Sequence, residues 1–137
     1  VPSEKKTITV TGEFDVRIAP PHAIDVPPNG PRMGRHAMDK VYHGALNGLA
    51  RGEMLTAGKL QQGQATYVAL ESFEGTLDGM SGGFALAHLG HMDAGSDALS
   101  VSIVPGSGSG ALAEIRGELE IVREDGKHTY TLTYWMT

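Results

Sequence analysis

Cysteine does not occur in the 137 residues. A disulfide framework, a thiolate metal site and a cysteine nucleophile are therefore excluded together. The same absence fits a reducing cytoplasm, the expected location, although a start at Val1 leaves room for a removed leader. No run reaches the roughly 18–20 apolar residues that a membrane span requires, and the opening VPSEKKTITV has no apolar signal-peptide core. Basic clusters are missing too. The 11 Lys and Arg are scattered among 16 Asp and Glu, a formal charge of −5, so a polyphosphate backbone is repelled and nucleic acid is not an expected partner. Helical periodicity is the last absence, since no segment repeats its apolar residues at three- and four-residue spacing.

What is present is alternation. TITVTGEFDVRIAP sets Ile8, Val10, Phe14, Val16 and Ile18 on one side, with Gly12 as a bulge or bend. HAIDVPPNGPRMG follows with three prolines and Asn29-Gly30, so 19–32 is the longest loop, and 1–6 is expected to be a flexible end. Seven more strand-like stretches succeed it: RHAMDKVYHGAL, GLARGEMLTAG, GQATYVALESFEG, MSGGFALAHLGHM, ALSVSIVPG, AEIRGELEIVRE and KHTYTLTYWMT. Asp125-Gly126 between the last two suits the positive φ angles of a type I′ turn. The spacing predicts one all-β domain over 1–137, a single antiparallel β-barrel of about eight strands. The 19 glycines let such strands coil sharply toward closure.

Four stretches carry a family likeness. RHAMDKVYHGALNGLARGEML, ATYVALESFEGTLDGMSGGFALAHLG, VPGSGSGALAEIRGELEI and DGKHTYTLTYWM stand in this order between about Gly12 and Met136. Together they resemble a bacterial family, domain-of-unknown-function family 3224. The resemblance implies a compact barrel similar in shape to plant allene oxide cyclase, lipocalin-like in outline and usually assembled into oligomers. It implies no reaction. Where the family often carries threonine in the glycine loop, Ser109 keeps the hydroxyl.

Several motifs are weaker than they look. His88 and His91 are three apart, so on a strand they point to opposite sides, and no HExxH or carboxylate cluster follows; no metal is expected. VPGSGSG lacks the Lys-Ser/Thr of a phosphate loop and leads into a strand, so it reads as a flexible connector at a barrel mouth. Neither nucleotide nor flavin is expected, and no cofactor at all. In RHAMDKVYH, the set Arg35, Asp39, His43 and the set His36, Lys40, Tyr42 face opposite ways, and Asp39 with His43 reads as an exposed salt-linked pair. Tyr130, Tyr134 and Trp135 read as core plus a subunit contact.

Two carboxylates stand among apolar neighbours: Glu71, sharing a face with Tyr67, Ala69 and Phe73, and Glu53, beside Met54 and Leu55. Such groups mark a structural hydrogen-bond network or a tuned acid or base. The turn EGTLDG makes the strand of Glu71 and the strand of His88 antiparallel neighbours, and one bulge at Gly82-Gly83 would bring the two side chains together. A carboxylate bonded to an imidazole holds its tautomer and prepares a general base. The candidate catalytic pair is Glu71 and His88, with Glu53, Tyr67, Phe84 and Tyr134 as candidate ligand-lining residues. Two functions follow. Either the barrel binds an apolar small molecule and performs cofactor-independent chemistry of isomerase, cyclase or lyase type, or its interior is packed and it is a non-catalytic oligomeric module. A homo-oligomer is expected in both cases, through an apolar outer strip of Val101, Ile103 and Trp135.

Overall fold

In the computed structural model, residues 6–137 are described, so the flexible end expected at 1–6 lies outside the described residues but for Lys6. Most of the described chain is strand: β1 (Ile8–Ile18), β2 (His22–Ala23), β3 (Met33–Gly44), β4 (Leu46–Lys59), β5 (Gln64–Leu77), β6 (Met80–Asp93), β7 (Ser96–Ile103), β8 (Ser109–Gly110), β9 (Ile115–Glu124) and β10 (Lys127–Met136). One 3₁₀ turn, Leu60–Gln62, separates β4 from β5. Neighbours pair antiparallel in the order β1-β10-β9-β7-β6-β5-β4-β3-β2, and β1 also pairs β3. The first strand is therefore held on both edges, and the eight long strands form a closed antiparallel barrel. The expected 19–32 loop is interrupted by β2, which runs on along β3.

Two-residue turns set the register. Asp125-Gly126 and Asp78-Gly79 both adopt positive φ at each position, as a type I′ hairpin needs. Closure needs sharp coiling as well. Gly48, Gly75 and Gly82 lie side by side across β4, β5 and β6. A Cβ on Gly48 would sit 2.2 Å from Glu74 O, and one on Gly75 would sit 2.1 Å from Asn47 O. No other residue lets the backbones come this close.

Alternation then divides inside from outside. Tyr42, Leu46, Phe73, Leu77, Phe84, Leu112, Tyr130, Leu132 and Tyr134 fill one half of the interior. Burial fades along the inward faces toward the other end. On β4, Leu46 and Ala50 are buried while Met54 and Thr56 are half-buried; inward-facing Leu99 and Ile18 reach 44% and 48% exposure. One end is thus plugged and the other opens to solvent. The strip expected on the outside is partly corrected here. Val101 and Ile103 point inward into the core, because β7 turns its odd-numbered residues toward the axis; Trp135 does face outward. The outer apolar face is instead Leu55, Val68, Leu70 and Leu89 on β4, β5 and β6, where Val68 lies directly between Leu55 and Leu89.

Tyr130 ties the plugged end together. The Leu46 N–H donates to its hydroxyl oxygen at 3.0 Å, and the hydroxyl lies 2.9 Å from the His43 carbonyl, to which it donates. Tyr130→Phe leaves that buried N–H and carbonyl unpaired, so it should lower stability by roughly 1–3 kcal/mol with the fold retained. Urea titration of both proteins measures the difference, and an unchanged midpoint would contradict this role.

Candidate functional site

Glu71 on β5 and His88 on β6 both project into the barrel, with Glu71 only 1% and His88 6% exposed. The β5–β6 ladder runs without interruption from Leu77↔Met80 to Gln64↔Asp93, so the bulge expected at Gly82-Gly83 does not exist. It is not needed. Glu71 lies opposite Leu86 and His88 opposite Ala69, which makes the two side chains diagonal neighbours on one face. His88 Nε2 stands 2.5 Å from Glu71 Oε1. A carboxylate only accepts, so this nitrogen carries the proton.

Two further groups join the carboxylate. Lys40 Nζ on β3 donates to Glu71 Oε1 at 2.9 Å, and the Tyr42 hydroxyl donates to Oε2 at 2.9 Å. Lys40 reaches across the whole width of β4 to do so. The intervening inward positions are Ala50 and Gly52, too small to obstruct it. Its ammonium also lies 4.7 Å from the centre of the Phe14 ring, where the ring face adds cation–π attraction.

Burial alone would raise the Glu71 carboxyl. The hydrogen bond from His88, the charge of Lys40, the charge of His88 and the hydrogen bond from Lys40 outweigh it, holding the group below its ordinary value. Tyr42 moves the other way. Burial, the adjacent Glu71 charge and the hydrogen bond to it push the phenol far up, so it remains a donor. His88 Nδ1, by contrast, has no hydrogen bond from the described residues. In the neutral imidazole it is a lone-pair acceptor.

The other candidates scatter. Tyr67 projects inward and is half-buried near the open end, its ring lying over Gly90, where a Cβ would meet it at 2.2 Å; desolvation raises its phenol. Glu53, read as a carboxylate close to Glu71, is corrected: it points outward and pairs with Arg35 at 3.2 Å, exposed, because β4 turns Met54 and not Glu53 inward. Phe84 stacks on Phe73 in the plugged half, ring centres 5.0 Å apart. Tyr134 donates to Asp78 in the β5–β6 turn, and burial, that hydrogen bond and the Asp78 charge push its phenol up to about 12. Neither stands at the open end.

Asp39 and His43 do not pair with each other; Arg51 faces the first at 3.5 Å and Asp15 the second at 3.0 Å. The glycine loop lies at the plugged end, not at a mouth. The Ala85 N–H donates to Ser107 Oγ at 2.9 Å, and Leu112 just beyond is fully buried.

Lys40 and Tyr42 were missed as site residues. Their strand carries charge on both faces, so alternation alone did not say which set turns inward. The available signal was the company they keep: Met38 and Tyr42 share the Lys40 face, whereas Arg35, Asp39 and His43 share the other. A groove of about 680 Å³ borders His88, Ala69 and Gly52, but Leu55, Val68 and Leu70 wall it, so it lies on the outside of the barrel. A smaller space of about 380 Å³ opens at the unplugged end beside His36, Thr56, Leu60 and Ala65.

Fold and site together define a small closed barrel with a buried ionic cluster and no α-helix among the described residues. The sequence profile of the family described as "Protein of unknown function (DUF3224)" matches residues 10–134, and the chain belongs to that family. A crystal structure of a DUF3224 protein with unknown function from Shewanella oneidensis MR-1 is 37% identical, covering 96% of this chain and 99% of that one, with a TM-score of 0.87. No curated protein matches.

Because Glu71 is depressed in the folded state, its contribution to stability is complete above the ordinary carboxyl value of 4.5 and is lost as pH falls through the folded value. Glu71→Gln should flatten the acid limb of the stability curve below that value. At neutral pH it should cost roughly 3–5 kcal/mol, since Lys40 is left buried without its counter-charge. Denaturant titrations across pH read both effects, and parallel acid limbs would show that Glu71 does not carry the linkage.

Proposed function

We propose that this protein binds a small, mostly apolar molecule in the open half of its barrel and moves a proton with His88, oriented by Glu71. The observation that carries the reading is directional. Exposure of inward-facing residues falls from Leu99 and Ile18 at the open end, through half-buried Met54 and Tyr67, to His88, and ends at sealed Glu71. His88 Nδ1, which has no hydrogen bond from the described residues, is therefore the first polar side-chain atom on β6 inward of the open end.

An apolar wall with a few convergent polar groups is the usual make-up of a small-molecule site. A buried ion pair is seldom worth more to stability than apolar residues of equal volume, so stability alone gives little reason to keep four polar groups here. Since Nε2–H is already given to Glu71, the ligand has to supply a donor or an acidic proton to Nδ1. The reaction class is proton abstraction leading to isomerisation or ring closure, without a cofactor.

The test is α-proton exchange of simple apolar ketones in D₂O, followed by NMR. The intact protein should accelerate exchange, and His88→Ala should reduce that acceleration by about 100-fold while the protein, though less stable, remains folded. No acceleration with any ketone, together with unfolding of His88→Ala, would favour the second reading, a packed non-catalytic module, which the filled half of the interior supports.

For assembly, we propose that a second copy of the chain covers Leu55, Val68, Leu70 and Leu89. Two copies each carrying −5 approach best through a face of no net charge, and this one carries the balanced pair Arg35 and Glu53 at its edge. Light scattering should report an oligomer for the native chain and a monomer for Leu70→Lys. A native monomer at micromolar concentration would refute it.

A further inference from the structure

We infer that the gap between β7 and β9 is the side entrance to the His88 site and that it admits an uncharged ligand. This rests on the reading of His88 just given. Every other pair of neighbouring long strands is laced by a continuous ladder; β9 and β10, for example, pair from Glu124↔Lys127 to Ile115↔Met136. Between β7 and β9 there is a single pair, Ser102↔Glu118. Toward the open end the two backbones face each other without further pairing. Burial agrees with this independently. All five residues Ser96–Ser100 are exposed, on both faces of the strand, although alternation should hide Asp97 and Leu99.

The gap leads to the right place. Val101, the last buried residue before the exposed stretch, is the direct cross-strand partner of His88. A molecule passing between Leu99 on one side and Ile121 on the other meets His88 one strand further in. Unpaired strand edges separate at low free-energy cost compared with laced ones, so this is also where the wall yields first. The outer margin of β9 along the gap is acidic, carrying Glu118 and Glu120. A carboxylate or phosphate ligand would be repelled there, whereas a neutral apolar one would not.

The absence of native cysteine makes a clean test available. Ser100→Cys with Glu120→Cys places two thiols on the outer face, one alternation beyond the Ser102↔Glu118 pair. In the oxidised double variant, acylation of His88 by diethyl pyrocarbonate should slow roughly tenfold relative to the same protein reduced with dithiothreitol. Outward-facing His91 should react alike in both forms. Equal His88 rates with the disulfide verified by mass would overturn the entrance.

A second measurement needs no variant: in the native chain, backbone amides of 96–101 and 119–124 that face the gap should exchange far faster than those at the centre of β5. Equal protection overturns the inference whether or not the disulfide forms, and fast exchange supports it in either case. Because acylation needs no ligand, the two readings fail separately. Ungated His88 with intact ketone exchange rejects the entrance alone, and gated His88 without ketone exchange rejects the proton-transfer reading alone.

Discussion

Everything in the interior is arranged around one buried carboxylate. Glu71 accepts from His88, Lys40 and Tyr42, and these donors come from β6 and from two positions of β3. Taking a carboxylate out of water costs several kcal/mol unless its lone pairs are met. The cluster meets them only if β3, β5 and β6 stand in the observed register. A one-residue slip of any of these strands would turn its member of the cluster to the outside and leave Glu71 charged and short of a partner. The polar cluster thus acts on specificity of pairing, while the aromatic half of the barrel supplies the apolar burial.

The two halves divide the labour. At the plugged end, Phe73 contacts Tyr42 on one side and Phe84 on the other ring to ring, and Tyr42 touches Tyr130 in the same way. Such packing leaves no room for a ligand. At the other end the inward side chains are more exposed, and the Tyr67 ring lies over Gly90. Tyr42 belongs to both halves, with its ring in the aromatic stack and its hydroxyl on Glu71. The rigid half therefore fixes the position of the cluster that faces the open half.

Strand number, hairpin turns and the Glu71–His88 neighbourhood were legible in the sequence because period two is a strong signal and Asp-Gly turns fix register locally. The face of β3 was not legible, since charges on both its sides made alternation ambiguous. For Glu53, apolar neighbours in sequence were misleading: adjacent residues on a strand point apart, so Met54 inward means Glu53 outward. Val101 and Ile103 were placed on the wrong side of β7 for want of a polar residue between them stronger than Ser102. The break between β7 and β9 left no trace in residue type, because the pairing of strands joined by a long connection depends on tertiary closure.

The pairing of β1 has a consequence for how the barrel comes into being. Ile8 lies opposite Tyr134, and Gly12 lies between Gly44 and Tyr130. The earliest strand made is thus completed on one edge only by the last. A chain emerging from the ribosome can form the β3–β4–β5–β6 meander from local hairpins, but β1 keeps an open edge until residue 136 is free. Contacts of such sequence separation slow folding, and an unpaired edge invites pairing with the wrong chain in the interval. The outward threonines of β1, Thr9 and Thr11, keep its outer face polar while it waits.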